Sequence, residues 1–390
     1  MDGGKGMQKI KCAIVGMGYV SANQIDALRR VGFVDILGTV DVNYELARQK
    51  AEKYFIPKCY ATVEGMLADE EVQVVHNCTP NHLHREINEK VIKAGKHIFS
   101  EKPLCKSSKE SEGLLELLAE NPKIVAGVDF VYRMNPLVLE MREKVRSGEI
   151  GKPRLIHGAY LQDWLLYETD YNWRMDSQIS GKSRCVADIG SHWMDLAQFI
   201  TGGRITEVCA DLVTTIPVRK APVGQVEAFS VNSSGQYEDK VIDTEDYGAV
   251  MFKMDNGIHG TYCCSEVSAG RKCAIRMEID GEKASMYWNQ EEADQMWMGY
   301  KDKPNQHILR NPNFMPDNIK QYTHLPAGHP EGHNDAMANI MKSYYGFIRD
   351  GKVPGKDPCD FATFADGHFS MRLIETILES SEKRQWMSIK

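Results

Sequence analysis

The stretch DIGSHWMD at 188–195 places Asp188 and His192 four residues apart, with Asp195 close behind. Positions i and i+4 of a helix share a face, so a carboxylate there can orient an imidazole and favour its charged form. Such a pair handles protons near neutral pH, because an unperturbed imidazole titrates at about 6.5. The apolar run Leu196, Ala197, Phe199 and Ile200 allows another reading, in which Asp188 caps a core helix and His192 is a satisfied buried ring. Asp195 reads as a structural partner in either case. A second reactive group is Lys102, between Glu101 and Pro103 in SEKPL (100–104). It is either a solvated strand end or an ammonium able to stabilise a developing alkoxide.

Such groups need a co-reactant, and the N-terminal third offers a place for one. The apolar run 10–15 meets the turn GMGYV (16–20), and helical spacing follows over 20–30. Gly16 permits the tight turn and Gly18 lets a pyrophosphate approach the helix N-terminus, with Met17, Tyr19 and Val20 completing the contact. Position 21 is Ser21 where the full glycine fingerprint has a third glycine, and a small residue still allows close packing. Asp41 ends the next strand, where an acid accepts from a ribose 2′-OH and repels a 2′-phosphate. NAD is therefore expected rather than NADP. CTPNHLH (78–84) also ends a strand at a proline; it either offers backbone amides to the cofactor ribose or merely stops the strand.

The elements that would carry these residues alternate. Strand-like runs at 33–40, 74–80, 96–103 and 123–128 are separated by helix-spaced stretches at 43–53, 82–94 and 107–120. That alternation predicts an α/β Rossmann domain over 1–130, with a parallel sheet and its ligand beyond the carboxyl ends of the strands. After about residue 150 strand-like runs dominate, and DNG at 255–257 between two of them is a hairpin signal. An α+β domain over 131–390 is expected, with a large, mostly antiparallel open sheet and two closing helices near 335–349 and 361–381. The polar aromatic loop 160–174 offers flat faces and hydrogen-bonding edges that suit pyranose rings, among them Gln162, Asp163, Trp173 and Arg174. His324, His329 and His333 lack a cysteine or acid spaced to complete a zinc site, so no metal is expected and His329 reads as a substrate contact.

Bulk properties narrow the classes. The 390 residues carry a formal charge of −7 and show no basic footprint for nucleic acid. No apolar run of about 18 residues suggests a membrane span, and the Gly-rich start lacks the apolar core of a signal peptide. Ten scattered cysteines form no CxxC pair, so reduced thiols and a cytoplasmic location are expected.

The GxG turn, TPNHLH (79–84), AGKHIFSEKPL (94–104) and DIGSHWMD together resemble the glucose–fructose oxidoreductase / inositol dehydrogenase / MocA (Gfo/Idh/MocA) family along essentially the whole chain. The resemblance implies an NAD(P)-dependent oxidoreductase acting on sugars, polyols or their derivatives, oligomeric through the C-terminal sheet. It implies that Lys102 reaches the substrate hydroxyl and that Glu101 sits near the cofactor. Thr79, Pro80, Asn81 and His84 would line the ribose and nicotinamide, and Asp188 and His192 match the family's catalytic pair. LQDWLLYETDYNWR (161–174) and LPAGHPEGH (325–333) resemble a subgroup of sugar and glycoside dehydrogenases, some oxidising carbon 3, and Trp173 and Arg174 carry that likeness. The expected reaction is hydride transfer from a secondary alcohol to NAD, with His192 or Lys102 handling the proton. Alternatives are an NAD-dependent glycosidase working through transient oxidation and elimination, an inositol or polyol dehydrogenase, and a non-catalytic NAD-binding regulator. The last is disfavoured by the intact Lys102, Asp188 and His192.

Overall fold

The structure is a computed structural model that describes residues 9–222 and 236–389. The chain divides into two compact units. The first comprises the chain up to Cys105, Lys109–Val131 and Asn334–His368. Its strands are β1 (Ile10–Val15), β2 (Val34–Val40), β3 (Lys58–Cys59), β4 (Val74–Asn77), β5 (His97–Ser100) and β6 (Ala126–Val128). Its crossover helices are α1 (Tyr19–Val31), α2 (Tyr44–Lys53), α3 (Val63–Leu67), α4 (Asn81–Lys93) and α5 (Ser108–Glu120). The sheet order is β6-β5-β4-β1-β2-β3, all parallel, with the short strand Ala362–Thr363 added antiparallel to β6. β4 is buried throughout, as expected for a strand covered on both faces. Val75 and Ile98 of the sheet pack with Ile87 and Val91 of α4 and Leu114 of α5. The strand order reverses between β1 and β4, which opens a crevice at their carboxyl ends.

One expectation is corrected here. Residues 334–368 belong to the first unit, not to a continuous second domain. The cause is local packing. Tyr344 of the helix His333–Arg349 donates to Val125 O at 3.0 Å and meets Phe99 edge-on at 5.1 Å. Gly127 makes room for that helix, since a Cβ there would lie 2.8 Å from Phe99 and 3.0 Å from Tyr344.

The second unit is built on a nine-stranded sheet. Its strands are β7 (Pro153–Leu161), β8 (Ile205–Val213), β11 (Tyr247–Met254), β12 (His259–Ser265), β13 (Ala274–Gly281), β14 (Ser285–Asn289), β15 (Gln295–Gly299) and β16 (Gln306–Leu309), with Met387–Ser388 at one edge. A separate pair, β9 (Val218–Pro222) and β10 (Tyr237–Val241), is antiparallel. The large sheet is antiparallel except between β12 and β7. The DNG turn closes the β11–β12 hairpin, with Gly257 at φ +85°. Strand alternation gives the sheet two faces. Ile156, Tyr262, Met277 and Trp288 are buried on one, whereas Leu155, Met251 and Leu309 are 51%, 47% and 62% exposed on the other.

The buried face is covered by two helices, α6 (Pro136–Arg146) and α8 (Ser191–Thr201). α6 was not anticipated, although Asn135 caps it and Pro136 opens it in the ordinary way. Trp193 of α8 donates to Arg276 O at 2.9 Å and stacks on Tyr262 at 4.7 Å. Gly158 permits this approach, because a Cβ there would lie 1.9 Å from Arg276 O. Among the described residues, no helix is long and apolar enough to cross a membrane.

Candidate active site

At the crevice of the first unit, Gly16 has φ +89° and donates to Val40 O at 2.8 Å. A Cβ at Gly16 would lie 2.8 Å from the Cys78 backbone, so the β1 and β4 turns meet only through glycine. Nothing lies within 4 Å of a Cβ built on Gly18, which leaves the N-terminus of α1 open to an anionic group. Ser21 is buried and donates to Gly18 O at 2.7 Å, taking the place of the third glycine without forcing the helix away. Asp41 accepts from Met17 N at 2.7 Å and Asn43 N at 2.8 Å. A carboxylate has about four acceptor positions, so capacity remains for ribose hydroxyls. The Met17 side chain is buried, so Met17 contributes through its backbone, while Tyr19 is exposed. Lys50 of α2, unnoticed in the sequence, donates to Met17 O at 2.5 Å. A glycine cradle, an open helix N-terminus and an acid at the end of β2 fit a dinucleotide.

The two proline turns lie at the same sheet edge. Thr79 Oγ1 donates to Asn77 Oδ1 at 2.7 Å, Pro80 stands before α4, and Asn81 is its first residue. His84 lies one turn into α4. Its ring is buried, with Nδ1 2.7 Å from Pro103 O and Nε2 2.7 Å from Thr79 O. It clamps the two turns together. Burial lowers its pKa, with the two carbonyls opposing. The Glu101 residue is buried, and its carboxylate accepts from Gln24 Nε2 at 2.7 Å. Lys102 follows at the turn, half-buried, with a cis bond to Pro103.

In the second unit, Asp188 lies in a π-helical turn, Val186–Gly190, that runs into α8. Its amide donates to Arg184 O at 2.7 Å, so Asp188 is inside the helical path and not its cap. A π-turn shifts the register, so the simple i, i+4 face predicted for Asp188 and His192 does not apply. The Asp188 carboxylate lies 3.6 Å from Arg174 Nε, and Arg174 lies over Trp173 at 4.5 Å and Trp164 at 5.9 Å. His192 is 7% exposed and meets Tyr132 edge-on at 5.0 Å. Tyr132 OH is 3.2 Å from both Tyr160 OH and Cys273 Sγ, and Gln162 Nε2 donates to Tyr160 OH at 3.4 Å. Tyr132 and Cys273 went unrecognised because they come from separate elements with no motif joining them.

The π-turn rests on buried charge. Glu245 accepts from Ser183 Oγ at 2.6 Å and from the amides of Arg184 and Val186 at 3.1 and 3.0 Å. Arg184 lies 3.2 Å from Glu266 and 3.6 Å from Asp246, all fully buried. Burial pushes Glu266 up to about 8, with Arg184 opposing. Asp195 forms a two-pronged buried pair with Arg133, with one contact at 2.7 Å. Asp163 and His329, expected to meet substrate, have local partners. Asp163 is tied to Lys272 at 2.7 Å and to Gly270 N at 2.9 Å, and His329 is exposed while its carbonyl accepts from Arg310 Nη2 at 2.6 Å.

Comparison with known proteins agrees with this geometry. Residues 10–130 match the oxidoreductase family with an NAD-binding Rossmann fold, and residues 138–287 match the GFO/IDH/MocA C-terminal domain. The chain is 28% identical over 356 residues to a levoglucosan dehydrogenase of Pseudarthrobacter phenanthrenivorans, covering 90% of this chain and 88% of the relative. It is 23% identical to a glucose-6-phosphate 3-dehydrogenase of Bacillus subtilis, covering 70% and 72%. A levoglucosan dehydrogenase solved in complex with NADH and L-sorbose superposes with a TM-score of 0.87 at 25% identity, covering 98% of this chain and 99% of that one. The chain belongs to the Gfo/Idh/MocA family of NAD-binding oxidoreductases.

Proposed function

We propose that the protein oxidises a secondary hydroxyl of a sugar or glycoside, at carbon 3 of a pyranoside, and reduces NAD+ to NADH. The observation that carries this reading is that Lys102 stands at the same sheet edge as the GMG turn, while in the second unit His192 meets Tyr132 edge-on and Asp188 lies 3.6 Å from Arg174, itself over Trp173. Bound NAD+ supplies the acceptor for the hydride leaving the carbinol carbon. Lys102 donates a hydrogen bond to the substrate oxygen and stabilises its developing charge. His192 takes the hydroxyl proton as the hydride leaves. Asp188 offers negative charge to the imidazolium that results, and Arg174 holds Asp188 in place. Trp173 and Gln162 give the sugar a flat face and a hydrogen-bonding edge. The names of two relatives support a sugar substrate, and one of them supports carbon 3. A homo-oligomer formed through the open sheet face would cover Leu155, Met251 and Leu309.

The test is a panel of levoglucosan, O- and C-glucosides, free sugars and inositols with NAD+, following NADH absorbance and product together. The expected result is one NADH per keto-sugar formed. Aglycone release without net NADH would replace this reading by a hydrolytic cycle, and turnover of inositols alone would move the substrate class to polyols.

A further inference from the structure

Beside Lys102 lies a buried polar chain that the reaction as drawn does not use. Glu101 follows β5 and Asp129 follows β6, on neighbouring parallel strands, and Asp129 N donates to Ser100 O at 3.0 Å. Glu101 and Asp129 are 9% and 3% exposed. Gln24 of α1 spans them, with Nε2 2.7 Å from Glu101 Oε1 and 3.4 Å from Asp129 Oδ2. The other end of that amide is fixed as well: Gln24 Oε1 is 2.8 Å from His76 Nδ1, and His76 Nε2 is 2.7 Å from Tyr345 OH. Because an amide oxygen only accepts, the His76 proton sits on Nδ1 and Tyr345 donates to Nε2. Each donor in the series therefore points toward the carboxyls.

We propose that Glu101 and Asp129 share one proton, so that the pair places a single negative charge beside Lys102 and acts as a positioning pair for its ammonium. Two carboxylates in contact and shielded from water do not both ionise. Asp129 Oδ1 has no hydrogen-bond partner among the described residues, a costly state for an ionised oxygen and a tolerable one for an acid. The groups facing the pair are Lys102, the Cys78 thiol at the end of β4, neutral His76 of β4, and Gln24; Tyr345 and Cys12 lie one step behind. Burial raises both acids, Glu101 adds to the rise at Asp129, and Lys102 opposes it at both. The pair then places one negative charge beside Lys102, without a second charge to bind it away from substrate.

The proposal rests on Lys102 being the active-site ammonium, but its first test does not. Infrared spectra of the full-length protein at pH 7.5 are compared as wild type minus Asp129→Asn and wild type minus Glu101→Gln. Each difference is expected to show loss of one carboxylic-acid C=O band, because the carboxyl that remains ionises. Absence of the band from both differences overturns the pair. The second test follows the Lys102 side chain by NMR of ¹³C-labelled lysine, assigned with Lys102→Ala. Asp129→Asn keeps one negative charge and should leave the Lys102 midpoint in place, whereas Glu101→Gln/Asp129→Asn should lower it by about one pH unit. A comparable drop in Asp129→Asn alone would mean two charges in the wild type and contradict the proposal. Should the double variant not fold, the infrared bands and the single variant still decide. Loss of all sugar oxidation in the panel above, with the band intact, would remove the function and leave the pair standing.

Discussion

In the proposed reaction Lys102 and His192 carry the chemistry, so their removal should separate catalysis from cofactor binding. Lys102→Ala and His192→Ala should each lower turnover by about 10²–10⁴-fold, the usual range for a lost acid–base or charge-stabilising group. NADH binding, followed by fluorescence titration, should remain. Unchanged turnover in both variants would take them out of the mechanism. Asp41 is the residue proposed to hold the cofactor ribose. Asp41→Ala should weaken NAD+ by about tenfold, in line with the loss of a charge-assisted hydrogen bond, and weaken NADP+ less. Equal losses would remove Asp41 from the ribose. At this scale the sequence was only partly legible. Lys102, Asp41 and the glycines could be placed because they end strands, and a strand end facing a crevice is a pattern. The partners of His84, Glu101 and Asp163 were not legible, because long-range packing chooses them: His84 between two carbonyls, Glu101 against Gln24, Asp163 against Lys272.

Elements hold these residues through a few inflexible contacts. The β1 turn is the clearest, since Gly16 combines φ +89° with a 2.8 Å approach to Cys78. Gly16→Ala should cost about 1–3 kcal/mol in stability and abolish NADH binding, measured by thermal melting and fluorescence. Full binding with an unchanged melting temperature would mean the turn tolerates a side chain. β4 gives a pH test. Burial depresses His76 from 6.5 to about 3, so the unfolded chain binds its proton across a window where the folded chain does not. Stability therefore rises with pH through that window and is lost as pH falls below about 6.5. The His76 share should reach about 2–3 kcal/mol at pH 4.5. His76→Gln should flatten the acid limb of denaturant unfolding relative to wild type, and identical limbs would refute the assignment. The parallel βα alternation was readable from apolar runs and helical spacing. The π-turn at Val186–Gly190 was not, because it is set by Glu245 and the Arg184 cluster, which approach from distant parts of the chain.

For the whole molecule, fold class and family were accessible from the order of elements and from short motifs. The return of residues 334–368 to the first unit was not, because it depends on how Tyr344 packs against Phe99 and Gly127. The parallel β7–β12 contact inside an otherwise antiparallel sheet is likewise a matter of long-range pairing that local patterning does not encode. The functional account depends on the two units delivering their reactive groups to one substrate. The measurement that tests this most directly is an experimental structure of the protein with NADH and a sugar it turns over. The account predicts that Lys102 Nζ and a ring nitrogen of His192 both lie within hydrogen-bonding distance, about 2.6–3.2 Å, of one substrate hydroxyl. A bound sugar whose reacting oxygen touches only one of them, with the other turned away, would contradict it.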